Sequence, residues 1–443
     1  MVSGISPIPD LPASGRFKIA ACACELTAMS IDTAKLPEAI VAAKAQLRGK
    51  LPQYARAFSE LEEHVKREVD DIRSRTAGGE SVVPQIDYQD IAAGRVNPAL
   101  SQAIRRRGVA VIRQVFPRTQ VGEWNAELGE YITTNGYYET RIDPQMDQYF
   151  SVLKSGRPQI FGIYWSRPQV LARQAQTMAR TRAFLNGLWK SSDGGTLHFD
   201  PARECSYADR IRRREPGDAT LGLSPHMDAG SVERWLDPAY RQVYRHVFSG
   251  SWRDYDPFDG AWRTQVKEIP SPAVCSMFRT YQGWTALTSQ GPDDGTLKLI
   301  PITIGIAYML LRALQDDVPE AELCGAEPAR ALSANAQWHG ALLPGLVSIP
   351  RVEPGDTVWW HPDLVHAVED QHRGKGFSNV MYIGAAPYCA KNAAYLDKQK
   401  PAFLKGESSP DFARENYEVA YKGRATLADL TDLGKQQMGF SPW

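Results

Sequence analysis

Residues 346–368 read LVSIPRVEPGDTVWWHPDLVHAV. Short apolar and aromatic runs are cut by Pro-Gly-Asp and by His-Pro, the punctuation of strands joined by turns. β-Branched and aromatic residues favour a pleated backbone, and Gly and Asp accept the turn between strands. The same texture recurs in RPQIFGIYW, AVCSMFRTYQGWTALT, GTLKLIPI and FSNVMYIGAAP. From about 156 to 386, strands and turns therefore dominate. Helical interruptions occur, the clearest being DPAYRQVYRHVFSG at 237–250.

The rest of the chain reads differently. In QYARAFSELEEHVKREVDDIRSR, Tyr54, Phe58, Leu61, Val65 and Val69 recur at spacings of three and four, which predicts an amphipathic helix. His64 falls among its charged residues and reads as a surface group. A helix, a Gly turn, a strand over 109–115 and a second helix after Pro117 follow. Arg105, Arg106 and Arg107 read as a solvated helix end that complements the dipole. The first 30 residues are rich in Pro, Gly and Ser and read as irregular. With 51 basic and 51 acidic residues the net charge is zero, so nothing favours nucleic acid or an anionic membrane as partner. The longest apolar stretch, LIPITIGIAYMLL, is too short to span a bilayer. No secretory leader is apparent. The six cysteines are scattered, without a CxxC pair; free thiols and a cytoplasmic location are expected, with no metal on Cys22 and Cys24.

The chemistry-bearing stretch is LSPHMDA. Alternate residues of a strand face the same way, so His226 and Asp228 share a face that Met227 does not. A second histidine would complete the two-His-one-carboxylate arrangement of non-haem Fe(II) oxygenases, which leaves three coordination positions open. About 140 residues on, HPDLVHAVED offers His366, with His361 as the competing choice. His361 precedes Pro362, where the strand is expected to bend.

At these residues the chain resembles a family. GDTVWWHPDLVHAVED is similar to the distal-histidine segment of 2-oxoglutarate-dependent oxygenases of the phytanoyl-CoA-hydroxylase type. YADRIRRREPGD, HMDAGSVERW, YDPFDGAWR, FRTYQGWTAL and NVMYIGAAPYC resemble the YbiU-like proteins, grouped with the same oxygenases. The resemblance runs from about residue 85 to the C-terminus. It implies a mainly β fold with flanking helices (α+β) around a double-stranded β-helix (jelly-roll or cupin-like) core. The expected division is an irregular segment 1–30, a helical region 31–80, the oxygenase domain 81–390 with an insertion at about 229–275, and a helical extension 391–443. It implies His226, Asp228 and His366 as catalytic metal ligands, Fe(II) as metal, and 2-oxoglutarate and O2 as co-substrates. A small molecule is hydroxylated or otherwise oxidised at a C–H bond, with release of succinate and CO2. Asp228 argues against a halogenase, which leaves that position open for halide. A non-catalytic metal- or ligand-binding protein and a metal-dependent hydrolase on the same ligands are the alternatives.

One feature departs from the family. These oxygenases usually hold the distal carboxylate of 2-oxoglutarate with an Arg, joined by Ser or Thr, on the strand after the distal histidine, because a guanidinium fork fits a carboxylate. GFSNVMYIG has Ser378 but no Arg. Arg279, Lys298, Arg373 and the pair Arg210 and Arg213 are the candidate anchors. Arg234 and Trp235 either border the pocket or pack. Tyr164, Tyr281 and Trp284 read as core, and His198, His246, His339 and His372 as non-ligands. The insertion and the N-terminal helices are expected to shape the pocket. Oligomeric state is not legible.

Overall fold

In the computed structural model, residues 28–140, 158–219, 224–272 and 274–443 are described, together with the backbone of Lys18 and Ile19. The expected irregular segment 1–30 and Cys22 and Cys24 fall almost wholly outside them. Helix exceeds strand, 39% against 16%, so the fold is mixed α/β rather than mainly β, and its sheets do not close into a barrel.

The principal strands, in chain order, are β1 (Gln85–Asp87), β2 (Val109–Arg113), β3 (Ile160–Phe161), β4 (Ile211–Arg214), β5 (His226–Met227) and β6 (Gln282–Ala286). Then come β7 (Leu297–Leu299), β8 (Leu332–Ser333), β9 (Val347–Ser348), β10 (Thr357–Trp360), β11 (His366–Val368) and β12 (Ser378–Tyr382). They form a seven-stranded sheet in the order β1-β2-β10-β6-β12-β4-β3 and a five-stranded sheet in the order β8-β5-β11-β7-β9. Neighbours are antiparallel except β1 and β2. From β4 the chain passes repeatedly from one sheet to the other. His361 and Pro362 end β10 and carry the chain across to β11, as the bend predicts.

Period-two alternation explains the core. Val109, Val111, Trp284, Leu297, Leu299, Val358, Trp360 and Val380 pack together, while Ala110, Ile112, Trp359 and Met381 from β2, β10 and β12 pack with Ile211 of β4 in a second cluster under helices. Covering both faces makes these strands read as nearly continuous apolar runs.

The N-terminal helices, Leu36–Lys50 and Tyr54–Ala77, cover the five-stranded sheet. Leu61, Val65, Val69 and Ile72 of the second are buried against the helix Gly305–Arg312, with Tyr54 and Phe58 partly buried beside them. That helix is the apolar stretch noted above; among the described residues no helix is long and apolar enough to cross a membrane. Two surface expectations are corrected. His64 is half-buried, its ring 5.4 Å from that of Trp252. The triple arginine is ion-paired, Arg105 with Asp256 and Arg106 and Arg107 with Glu68 and Asp71; Arg106 stays exposed as expected, but Arg107 is only 3% exposed. The helix Pro98–Arg107 ends at Gly108, whose φ of 67° suits glycine.

Candidate metal centre

β5 turns His226 inward. Met227 points the other way and is fully buried among the residues under the N-terminal helices. His366 on β11 stands directly opposite His226 in the register, and the two rings are 4.5 Å apart. Asp228 lies between them. His226 Nε2 is 3.2 Å from Asp228 Oδ1, and His366 Nε2 is 3.5 Å from Asp228 Oδ2. One ligand atom from each of the three lies within 4.8 Å of the others, and no other such group of His, Cys, Asp or Glu occurs among the described residues.

The surroundings fit a divalent ion. His226 Nδ1 is 2.7 Å from the Ser224 carbonyl oxygen, and His366 Nδ1 is 3.2 Å from that of Leu364. A carbonyl only accepts, so each Nδ1 carries the proton and each Nε2 presents a lone pair toward the shared point. Gln282 Nε2 donates to Asp228 Oδ2, and the Trp360 ring lies 5.4 Å from that of His366. Burial would raise the Asp228 pKa, but His366 and His226 outweigh it and hold the carboxyl well below its usual range. Burial likewise disfavours a charged His226, yet Asp228 raises its pKa.

The triad forms part of the wall of a cavity of about 190 Å³. Gln282, Trp284, Trp360 and Tyr382 line it from the seven-stranded sheet, and Tyr207, Arg210, Arg279 and Phe412 close other sides. Trp284 is thus both core and wall, whereas Tyr164 and Tyr281 are core alone.

The anchor candidates separate. Arg279 lines the cavity. Lys298 does not: it lies on β7 between Leu297 and Leu299, whose side chains face the inter-sheet core, so alternation turns it away. Arg373 is 67% exposed and faces Asp293 at 3.3 Å. Arg213 turns outward against Gly129 and the Phe377 ring. Arg210 lines the cavity but is held by Asp209, 3.5 Å away, and lies over the Phe412 ring. Ser378 is buried, and its hydroxyl donates to Gln290 Oε1 at 2.6 Å and accepts from Arg212 at 3.1 Å.

Arg212 is the residue the sequence reading missed. It lies on β4, beside β12, which carries Ser378. It lines the cavity, is 4% exposed, and has no carboxylate within ion-pair distance among the described residues. Its Nε is buried without a partner. A buried guanidinium without a counter-charge is costly, and here, among the described residues, only the Gln290 and Ser378 side chains accept from it. The missed signal was alternation: in ADRIRRR, Arg210 and Arg212 share a face and Arg213 does not.

Three other candidates are structural. Arg234 is fully buried and pairs with Asp363 at 2.7 Å; Trp235 is core, its indole N–H donating to the Leu310 carbonyl. His361 is buried away from the triad, stacked on Trp189 with ring centres 4.8 Å apart.

A family model described as Gig2-like matches residues 34–440. The protein YbiU of Escherichia coli (strain K12) is 45% identical over 398 residues, 89% of this chain and 94% of its own. A solved structure from Salmonella typhimurium LT2, provisionally described as an oxidoreductase, superposes with a TM-score of 0.88 at 42% identity, covering 93% of this chain and 99% of that one. The GlcNAc Inducible Gene 2 protein of Candida albicans gives 0.78 at 28%, covering 94% and 91%. The YbiU likeness read in the sequence is thus found, whereas the family model that matches is not a phytanoyl-CoA-hydroxylase one. With a family model spanning nearly the whole chain and a relative this similar, the chain belongs to the Gig2-like family.

Proposed function

We propose that this protein is a non-haem Fe(II)- and 2-oxoglutarate-dependent oxygenase that oxidises a C–H bond of a small molecule. The observation that carries the reading is the convergence of His226, Asp228 and His366 on one cavity, with both histidine Nδ1 protons tied to carbonyls. We read the two facing sheets as the halves of a double-stranded β-helix, open at the end where β5 and β11 meet, and residues 81–390 as the catalytic unit. The provisional description of the Salmonella relative as an oxidoreductase agrees with this reading.

Bound there, Fe(II) would activate O2, couple oxidation of the substrate to decarboxylation of 2-oxoglutarate to succinate and CO2, and leave the protein to supply orientation and shielding. His226, Asp228 and His366 would hold the metal on one face. Gln282 orients the Asp228 carboxylate by hydrogen bonding. Arg212 and Ser378 would receive the distal carboxylate of 2-oxoglutarate, taking over the Arg-plus-Ser role from neighbouring strands rather than from one. Trp284, Trp360 and Leu297 keep that part of the cavity apolar. A hydrolase on the same ligands would need a free carboxylate to take a proton from water, and Asp209 in the wall is engaged by Arg210. The four described cysteines are free thiols, which suits a reducing compartment, and we place the reaction in the cytoplasm.

Anaerobic addition of Fe(II) and 2-oxoglutarate should produce the weak visible charge-transfer band of a chelated complex. Arg212→Gln should weaken 2-oxoglutarate binding, and His226→Ala should abolish the band. A wild-type protein that binds Fe(II) but gives no band and no succinate is not such an oxygenase.

A further inference from the structure

Resting on the co-substrate reading above, we infer that the substrate is a small carboxylic acid whose carboxylate is met by Arg279. The inference comes from the charges of the cavity wall. Three arginines line it, Arg210, Arg212 and Arg279, against two acids, Asp209 and Asp228. Arg210 and Asp209 neutralise each other. A divalent ion is balanced by Asp228 and the first carboxylate of 2-oxoglutarate, and Arg212 by the second. Arg279 alone is left, with no carboxylate within ion-pair distance among the described residues. One cation calls for one negative charge. A carboxylate supplies that, whereas a phosphate monoester brings nearly two at neutral pH.

Arg279 is also held in place. Its guanidinium lies over the Tyr207 ring, 5.5 Å from the centre. The Tyr207 hydroxyl donates to Asp411 at 3.1 Å, and Asp411 accepts from both the backbone N–H and the hydroxyl of Ser276. On its other side Gly384 makes room: a Cβ there would come within 3.1 Å of Arg279 Cδ. Beyond lies a chamber of about 960 Å³ that shares Pro272, Val274 and Phe412 with the metal cavity. An acid anchored at Arg279 can extend its body past Phe412 into that space.

The test pairs acids with their neutral amides. Hexanoate against hexanamide, and phenylacetate against phenylacetamide, are titrated calorimetrically into the full-length protein, once with Fe(II) and 2-oxoglutarate under anaerobic conditions and once with neither. The acids should bind at least about tenfold more tightly, as a charge-assisted contact requires. Arg279→Gln should erase that preference, Arg279→Lys should keep part of it, and Arg212→Gln should leave it in place. Thermal unfolding of each variant reports whether it folds. Equal binding of acids and amides, or a preference that survives Arg279→Gln, overturns the assignment. So does loss of 2-oxoglutarate binding in Arg279→Gln with retention in Arg212→Gln, because the two arginines would then have exchanged roles. If wild type shows no charge-transfer band but the preference persists and vanishes in Arg279→Gln, the co-substrate reading falls and the subsite stands. A band without any acid preference gives the reverse.

Discussion

The chain carries a His-x-Asp pair three times, and beside His198-Phe-Asp200 two of them invite comparison: His226-Met-Asp228 and His361-Pro-Asp363. The first lies at a cavity, with Asp228 28% exposed and two imidazole Nε2 atoms turned toward its carboxylate. The second is sealed. Asp363 is 1% exposed and bridges Arg234 and Arg263 at 2.7 and 3.0 Å, with the Tyr244 hydroxyl added. His361 spends both ring nitrogens locally: Nδ1 accepts from the Asp363 backbone N–H, and Nε2–H donates to the Pro257 carbonyl. The difference lies in what faces the pair. A carboxylate already matched by two guanidinium groups has nothing to offer a metal; one faced by two imidazoles and a side-chain amide does.

The sharpest way to break this contrast is to exchange the histidines' fates. His226→Ala should reduce Fe(II) or Mn(II) affinity by more than about a hundredfold, because even residues behind the ligands are worth ten- to a hundredfold. His361→Gln should leave metal affinity within a few-fold. Calorimetric titration of Mn(II) into both variants checks it, and equal losses would make the two motifs equivalent.

Stability should divide the carboxylates in the opposite sense. Asp363→Ala strands Arg234 and Arg263 in the interior and should cost about 3–5 kcal/mol of unfolding free energy. Asp228→Ala in metal-free protein should cost far less, since its partners, two imidazoles and the Gln282 amide, leave no permanent charge stranded. Urea unfolding of both variants with chelator present measures the difference.

Acid sharpens the same point. Burial pushes the His361 pKa down to about 4. An unfolded histidine titrates near 6.5. The unfolded state therefore takes up the proton first, and the stability His361 contributes is complete above about pH 6.5 and lost as pH falls toward 4. The slope is roughly 1.4 kcal/mol per unit for one such histidine. Asp363, held far below the carboxylate range mainly by the two arginines acting against its burial, stays ionised throughout that window. Urea midpoints of metal-free protein between pH 7 and 4 should fall more steeply for wild type than for His361→Gln.

This contrast also shows how much of the site was legible. His226 and Asp228 could be set on one face because alternation is local: a strand that buries Met227 must present its neighbours on the other face. His366 came from the family likeness of HPDLVHAVED, with the bend expected at Pro362 setting His361 apart. What could not be read was which strands lie side by side. Arg212 and Ser378 are 166 positions apart, and only the pairing of β4 with β12 brings them together. Lys298 failed on a point that was readable, since flanking Leu297 and Leu299 already fixed the inward face. The excess of helix over strand was misjudged because the strands, though strongly patterned, are only two to five residues long, while Leu36–Lys50, Tyr54–Ala77, Arg118–Thr134 and Ala390–Lys405 are long helices outside the strand-rich region.

Gln282 offers the mildest test of the comparison. It supports Asp228 as Arg234 and Arg263 support Asp363, but with a neutral amide. A neutral donor orients the carboxylate without neutralising it, so the charge stays available to a cation. Gln282→Leu should therefore lower Mn(II) affinity about tenfold, while Gln282→Glu, which places a second carboxylate beside the first, should instead change the pH dependence of binding. If Gln282→Leu binds Mn(II) as wild type does, His226 and His366 alone fix the carboxylate, and the contrast between the two motifs reduces to the presence or absence of arginine.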